Sequence, residues 1–213
     1  MPNSPTEPRA AAARLKTKWP RLTAGSLALL VVGLLAYALY TVENDNFHVV
    51  APGLVYRSGQ MDGEDLTRSI AKYGIKSILN LRGENPTTSW HQTEIATTAK
   101  LNVVHYDRSL GSGTELTLDE MNDLVTLLRN APKPILIHCY GGADRSGLVS
   151  ALYCFAIDGE TAKQADRQLT IWYGHIPLIR PKVTAMDDSF WRYVTNHIPP
   201  VKSAENVSAD ADH

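Results

Sequence analysis

Between residues 47 and 198 the apolar positions follow two different periods. Short apolar or alternating runs at 54–56, 75–81, 102–106 and 135–137 read as strands. Between them the period lengthens. Leu66, Ile70 and Tyr73 stand at i, i+4 and i+7, with Asp62 placed to cap the start of a helix and Gly74 to stop its end. Met121, Leu124, Val125 and Leu128 share one face of another helix, opened by Thr117 and Glu120 at capping-box spacing. Ser89 and Gln92 offer the same box to a helix ending near Lys100. Further helices are predicted over 148–157, 161–173 (ended by Gly174) and 187–197, where Trp172, Phe190, Trp191 and Tyr193 fall at core spacing. Strands alternating with helices predict an α/β domain, a central parallel-rich sheet flanked by helices on both faces.

Outside this region the pattern changes. Residues 23–42 hold no charge and are rich in Leu and Val. Such a run, as a helix, is about 30 Å long and matches a bilayer's hydrocarbon core. The preceding residues 1–22 carry Arg9, Arg14, Lys16, Lys18 and Arg21 against one acid, Glu7, and show no apolar period, so they read as a disordered basic flank. This asymmetry puts the N-terminus in the cytoplasm and the rest of the chain outside it, periplasmic in a bacterium. Ala36-Tyr37-Ala38 also fits a signal-sequence cleavage site. The apolar run continues through Leu39 and Tyr40, which favours a retained anchor over a cleaved, secreted form. The expected organisation is therefore flank 1–22, anchor or signal sequence 23–42, globular domain 47–198 and disordered tail 199–213.

Composition narrows the class. At 213 residues, 44% apolar and 20% charged, the chain can build one ordinary globular domain with extras. A net charge of −1 gives no general attraction to nucleic acid. Two cysteines make no disulfide framework; Cys154 falls mid-helix and reads as core. The seven histidines show no paired spacing, so no metal site is expected.

The chemistry concentrates in His138-Cys139-Tyr140-Gly141-Gly142-Ala143-Asp144-Arg145-Ser146-Gly147, which an apolar strand enters and a helix leaves. A glycine-bearing loop at a helix N-terminus aims backbone N–H groups at one point and is built for an anion. Here Tyr140, Gly141, Gly142, Ala143 and Asp144 form the cradle. Cys139 lies at its floor, and Arg145 can grip two oxygens of a bound phosphate. That field should lower the cysteine pKa and make Cys139 a thiolate nucleophile. Ser146 can hydrogen-bond the sulfur and help expel it later, and His138 orients the loop. Phosphate-ester cleavage also needs a carboxyl group to act as acid and then base, at the end of a neighbouring strand. Asp107 has that place, with Glu115 and Asp119 in reserve. No cofactor is required.

Cys-x5-Arg-Ser preceded by His138 resembles the signature loop of the cysteine-dependent protein tyrosine phosphatase superfamily. Its position two-thirds along the chain resembles the dual-specificity branch. Tyr56-Arg57-Ser58-Gly59-Gln60, Gly74-Ile75 and Asn80-Leu81-Arg82-Gly83 are similar to small exported bacterial members. The resemblance implies a phosphocysteine mechanism and an acid some thirty residues before the cysteine, which again points to Asp107. Loops for polyphosphorylated inositols in this superfamily are often basic inside, whereas 140–144 contain no lysine and one acid. Phosphoprotein is therefore the expected substrate. The alternatives are an inositol phosphate or phosphoinositide phosphatase and a membrane-tethered phosphobinding pseudophosphatase. Convergence of Arg57, Arg82, Arg180 and Lys182 on the mouth would favour the inositol reading. The physiological substrate and the oligomeric state are left open by the sequence.

Overall fold

Five short strands form one sheet in the order β1-β2-β5-β3-β4, in a computed structural model that describes residues 24–197. The strands are β1 (His48–Ala51), β2 (Val55–Ser58), β3 (Ser77–Asn80), β4 (Val104–Asp107) and β5 (Ile135–His138). All neighbours run parallel except β1, which joins β2 as an antiparallel edge hairpin. The sequence reading missed β1 and gave 54–56 as the first strand. Alternation along each strand divides two cores. Ile78 and Leu136 face Leu66 and Ile70 of helix α2 (Gly63–Tyr73), while Leu79, Ile135 and Ile137 face the larger opposite cluster. That larger core is closed by α4 (Leu118–Asn130), α5 (Asp144–Ala156) and α7 (Thr184–His197).

Local signals account for most helix ends. Asp62 accepts from the amides of Glu64 and Asp65, and Gly74 ends α2 at φ 63°, which a glycine adopts without strain. Thr117 and Glu120 form the expected capping box of α4. The box expected at Ser89 does not form. Helix α3 (Ser89–Lys100) starts from Thr88 without a side-chain cap, and Gln92 donates to Pro86 O instead.

The single helix expected over 161–173 is also corrected. It breaks into α6 (Ala162–Ala165) and 3-10 turns at Asp166–Gln168 and Ile171–Tyr173. The tighter turn brings the Gln168 carbonyl and side chain to Arg57, which accounts for the break. With the helix gone, Trp172 stands exposed rather than in the core. Trp191 is exposed too, while Phe190 and Tyr193 are buried as expected.

By contacts the chain divides into Met1–Leu39 and Tyr40–His213. Helix α1 (Ala24–Glu43) begins in the first unit. Among the described residues no helix is long and apolar enough to cross a membrane, so the anchor expected over 23–42 finds no support there. The expectations for 1–22 and 199–213 lie outside the described residues.

Candidate active site

The sheet order sets the site. Strand β5 lies between β2 and β3, so the loop leaving it sits at the middle of the C-terminal edge, where ligands bind in open α/β sheets. Ser58, His138, Asn80 and Asp107 stand in one row across the ends of β2, β5, β3 and β4. The loop 139–143 then runs directly into α5, whose first turn contains Asp144 and Arg145.

Four successive carbonyls of this loop are turned outward and held. Tyr140 O accepts from Gln60 N–H at 3.1 Å, and Gly141 O from Asn46 Nδ2 at 2.9 Å. Gly142 O and Ala143 O both accept from Arg57 Nη2, each at 2.8 Å. In a trans peptide an outward carbonyl turns the next N–H inward. The amides of Gly141, Gly142, Ala143 and Asp144 therefore face the concave side, and among the described residues they have no protein acceptor. That is an anion nest.

Glycine at 142 is required twice over. Its φ is +67°, and an added Cβ would lie 2.5 Å from Gly59 N.

Inside the nest, Cys139 is buried with Sγ 3.5 Å from Ser146 Oγ, a hydrogen bond at sulfur distance. Arg145 donates through Nη1 to Leu81 O at 3.2 Å and Leu110 O at 3.3 Å. Its Nε is buried without a partner, a donor fitted to an arriving anion. Cys139 and Ser146 therefore stand in contact, and Arg145 enters the same loop from the first turn of α5.

Asp144 joins the cradle through its backbone. Its carboxylate is spent on His175 Nδ1 at 2.8 Å and on Arg180 at 2.9 and 3.2 Å, leaving only its amide for the nest. His175 reaches Asp187 on its other side at 2.9 Å. Burial disfavours a charged imidazole there, but the hydrogen bonds and charges of Asp144 and Asp187 outweigh it and lift the His175 pKa to about 9.

Arg57, one of the four cations considered for the mouth, does not stand there. Fully buried beneath the loop, it also donates to Gln168 O and Oε1 and lies 4.3 Å from the Tyr173 ring centroid. Burial pulls its pKa down to about 10, against the opposing influence of Cys139, Tyr173, Cys154 and Asp144. Cys154 is a buried free thiol, pushed up to about 12 chiefly by burial.

Asp107 ends β4, two strand spacings, roughly 10 Å, from the end of β5. Asn80 Nδ2 donates to its Oδ1 at 2.6 Å, and His91 Nε2 stands 3.4 Å from both oxygens. Of the reserves, Glu115 is paired with Arg192, and Asp119 lies in the first turn of α4.

One buried group had no signal in the sequence. The Glu94 carboxylate accepts from His105 Nε2 at 2.7 Å, His138 Nε2 at 3.1 Å and Gln60 Nε2 at 2.8 Å. Burial would raise its pKa, but these donors hold it well below the usual carboxylate range. One charge thereby ties the residue before Cys139 to the residue two before Asp107. In the sequence His91, Glu94 and Thr98 look like a solvated helix stripe, yet all three are buried. Among the described residues no His, Cys, Asp or Glu group forms a metal site.

Residues 44–186 match the family model described as "Swiss Army Knife protein, DSP-PTPase phosphatase domain". Among solved structures the chain is similar to TpbA of P. aeruginosa, at 16% identity and TM-score 0.53, over 71% of this chain and 92% of that one. It is also similar to the core catalytic domain of the PP-IP phosphatase SIW14 from S. cerevisiae, at 20% and 0.53, over 71% and 91%. Tk-PTP in its active form gives 16% and 0.51, over 69% and 97%. No curated protein matches the chain by sequence.

Proposed function

The chain belongs to the Swiss Army Knife DSP-PTPase phosphatase family and is a cysteine-dependent phosphatase of the dual-specificity type; from that premise we propose that its substrate is a phosphoprotein. The observation that carries this reading is where the cations go. Of the four considered, Arg57 is consumed beneath the loop and Arg180 by Asp144. The stem of Lys182 lies against Gly113. Arg82 alone stands beside the exposed Tyr140, 5.2 Å from its ring centroid. It is stacked 3.6 Å from the centroid of Trp90 and bonded to Gln60 Oε1 at 3.0 Å. A cation braced by aromatics beside the loop suits a single phosphate on a peptide.

In the proposed reaction the Cys139 thiolate attacks phosphorus while the nest amides and Arg145 hold the three remaining oxygens. The ester P–O bond breaks, and Asp107 gives its proton to the leaving oxygen. Water then attacks the phosphocysteine and loses a proton to Asp107. The S–P bond breaks with Ser146 donating toward the sulfur, and orthophosphate leaves.

Relative turnover of a phosphotyrosyl peptide and an inositol polyphosphate tests the substrate class. Preference for the peptide is expected; strong preference for the polyphosphate defeats the proposal. For location, the uncharged run 23–42 behind a basic flank supports export of the catalytic part, as an anchored or a cleaved form. Cell fractionation with protease access to the 47–198 region tests this, and a wholly protected cytoplasmic pool contradicts it.

A further inference from the structure

The segment from Ile171 to Arg180 follows the broken helix and carries large apolar side chains outward. Leu178 is 93% exposed and Ile179 74%, and Ile171 and Trp172 are exposed as well. Single exposed apolar residues are ordinary; four in nine positions are not. Nor is the segment loose. Asn46 Nδ2 donates both to Tyr173 O and to Gly141 O, each at 2.9 Å, so the segment and the catalytic loop share one donor. A Cβ on Gly174 would lie 3.7 Å from Ala143 Cβ. At the far end Arg180 binds Asp144 and also Gly174 O, and His175 binds Asp144 from within. Both ends are thus fastened to the rim of the nest, and the apolar tip between them faces solvent.

We propose that residues 171–180 form a docking lip which receives apolar side chains flanking the phosphorylated residue of a protein substrate. The lip rests on the phosphoprotein reading above and narrows it. A protein seated with its phosphate in the nest comes close to this segment, because Arg180, next to Ile179, is bonded to Asp144, whose amide lines the nest. The polar groups at its ends are spent on fastening, which leaves Leu178 and Ile179 as the surface a partner meets. An inositol phosphate carries no apolar surface for them. Burial of one or two such side chains on binding is worth about tenfold or more in affinity.

The test uses the full chain and a Leu178→Ser/Ile179→Ser variant, with Leu178→Ser alone as a second variant. Three substrates are compared: para-nitrophenyl phosphate and two phosphotyrosyl peptides, one flanked by Leu and Ile and one by Ser and Gly. The wild type should show a lower KM for the apolar peptide. In the double variant that KM should rise about tenfold with kcat within twofold, while the polar peptide and para-nitrophenyl phosphate are turned over as before. Equal KM for the two peptides in wild type and variants overturns the lip. So does a loss seen only when the peptide is tethered to phosphatidylglycerol-containing vesicles, because the tip then meets a bilayer. A wild type that hydrolyses inositol polyphosphate and neither peptide defeats the phosphoprotein reading itself, a result distinct from equal use of both peptides.

Discussion

Arg57 Nη2 reaches Gly142 O at 2.8 Å from beneath the catalytic loop, and the same nitrogen holds Ala143 O. A buried cation therefore shapes the nest from the side opposite the phosphate. Arg57→Met should leave Gly142 O and the two Gln168 oxygens without this donor, at about 1–3 kcal/mol for each group left unpaired, while Ala143 O keeps the Gly147 amide. Equilibrium urea unfolding should show a loss of at least about 2 kcal/mol, together with a fall in kcat/KM. Wild-type activity in a fully folded variant would remove Arg57 from the account.

Neighbouring glycines should behave in opposite ways. Gly142→Ala meets Gly59 N and must hold a disfavoured φ, whereas a Cβ on Gly141 meets nothing within 4 Å. Thermal melting should drop by several degrees for the first and hardly change for the second. Equal melting temperatures would contradict the geometry of the loop.

The His175 bridge gives a pH dependence with a definite sign. Its folded pKa, about 9, lies above the ordinary value of 6.5. The stabilisation is therefore complete below about pH 6.5 and disappears as pH rises through about 9. Urea midpoints at pH 6, 8 and 10 should fall in wild type more steeply than in His175→Gln. Parallel curves would contradict a charged His175 between Asp144 and Asp187.

Asp107→Asn should lower kcat for a phosphotyrosyl peptide by about 10²–10⁴ and change turnover of an ester with a highly acidic leaving group far less, because the latter needs no proton. Equal losses on both would move the acid elsewhere. Glu94→Gln places an amide against histidine donors and should depress both substrates, since it disturbs His138 as well as His105.

What could be read in the chain depended on range. Asp62, Gly74 and the Thr117–Glu120 box are contacts within four residues, so they show as spacing. The loop from Cys139 to Ser146 carries its chemistry in consecutive residues for the same reason. Arg57 was legible as a cation but not as a support, since its acceptors lie 85 to 111 positions away. The break after Ala165 follows from that same contact, which is why Trp172 looked like core. Asp144 shows the limit most clearly: its place in the loop is legible, but its partners His175 and Arg180 come from another segment.

Turnover by this loop passes through a covalent phosphoryl group on Cys139 in the proposed reaction. Acid-quenched turnover of a radiolabelled phosphotyrosyl peptide, followed by peptide mapping, tests it directly. The label should appear on the Cys139 peptide of the wild type, accumulate further in Asp107→Asn with an activated ester, and be absent from Cys139→Ser. Label on another residue, or steady turnover by Cys139→Ser, would contradict the account.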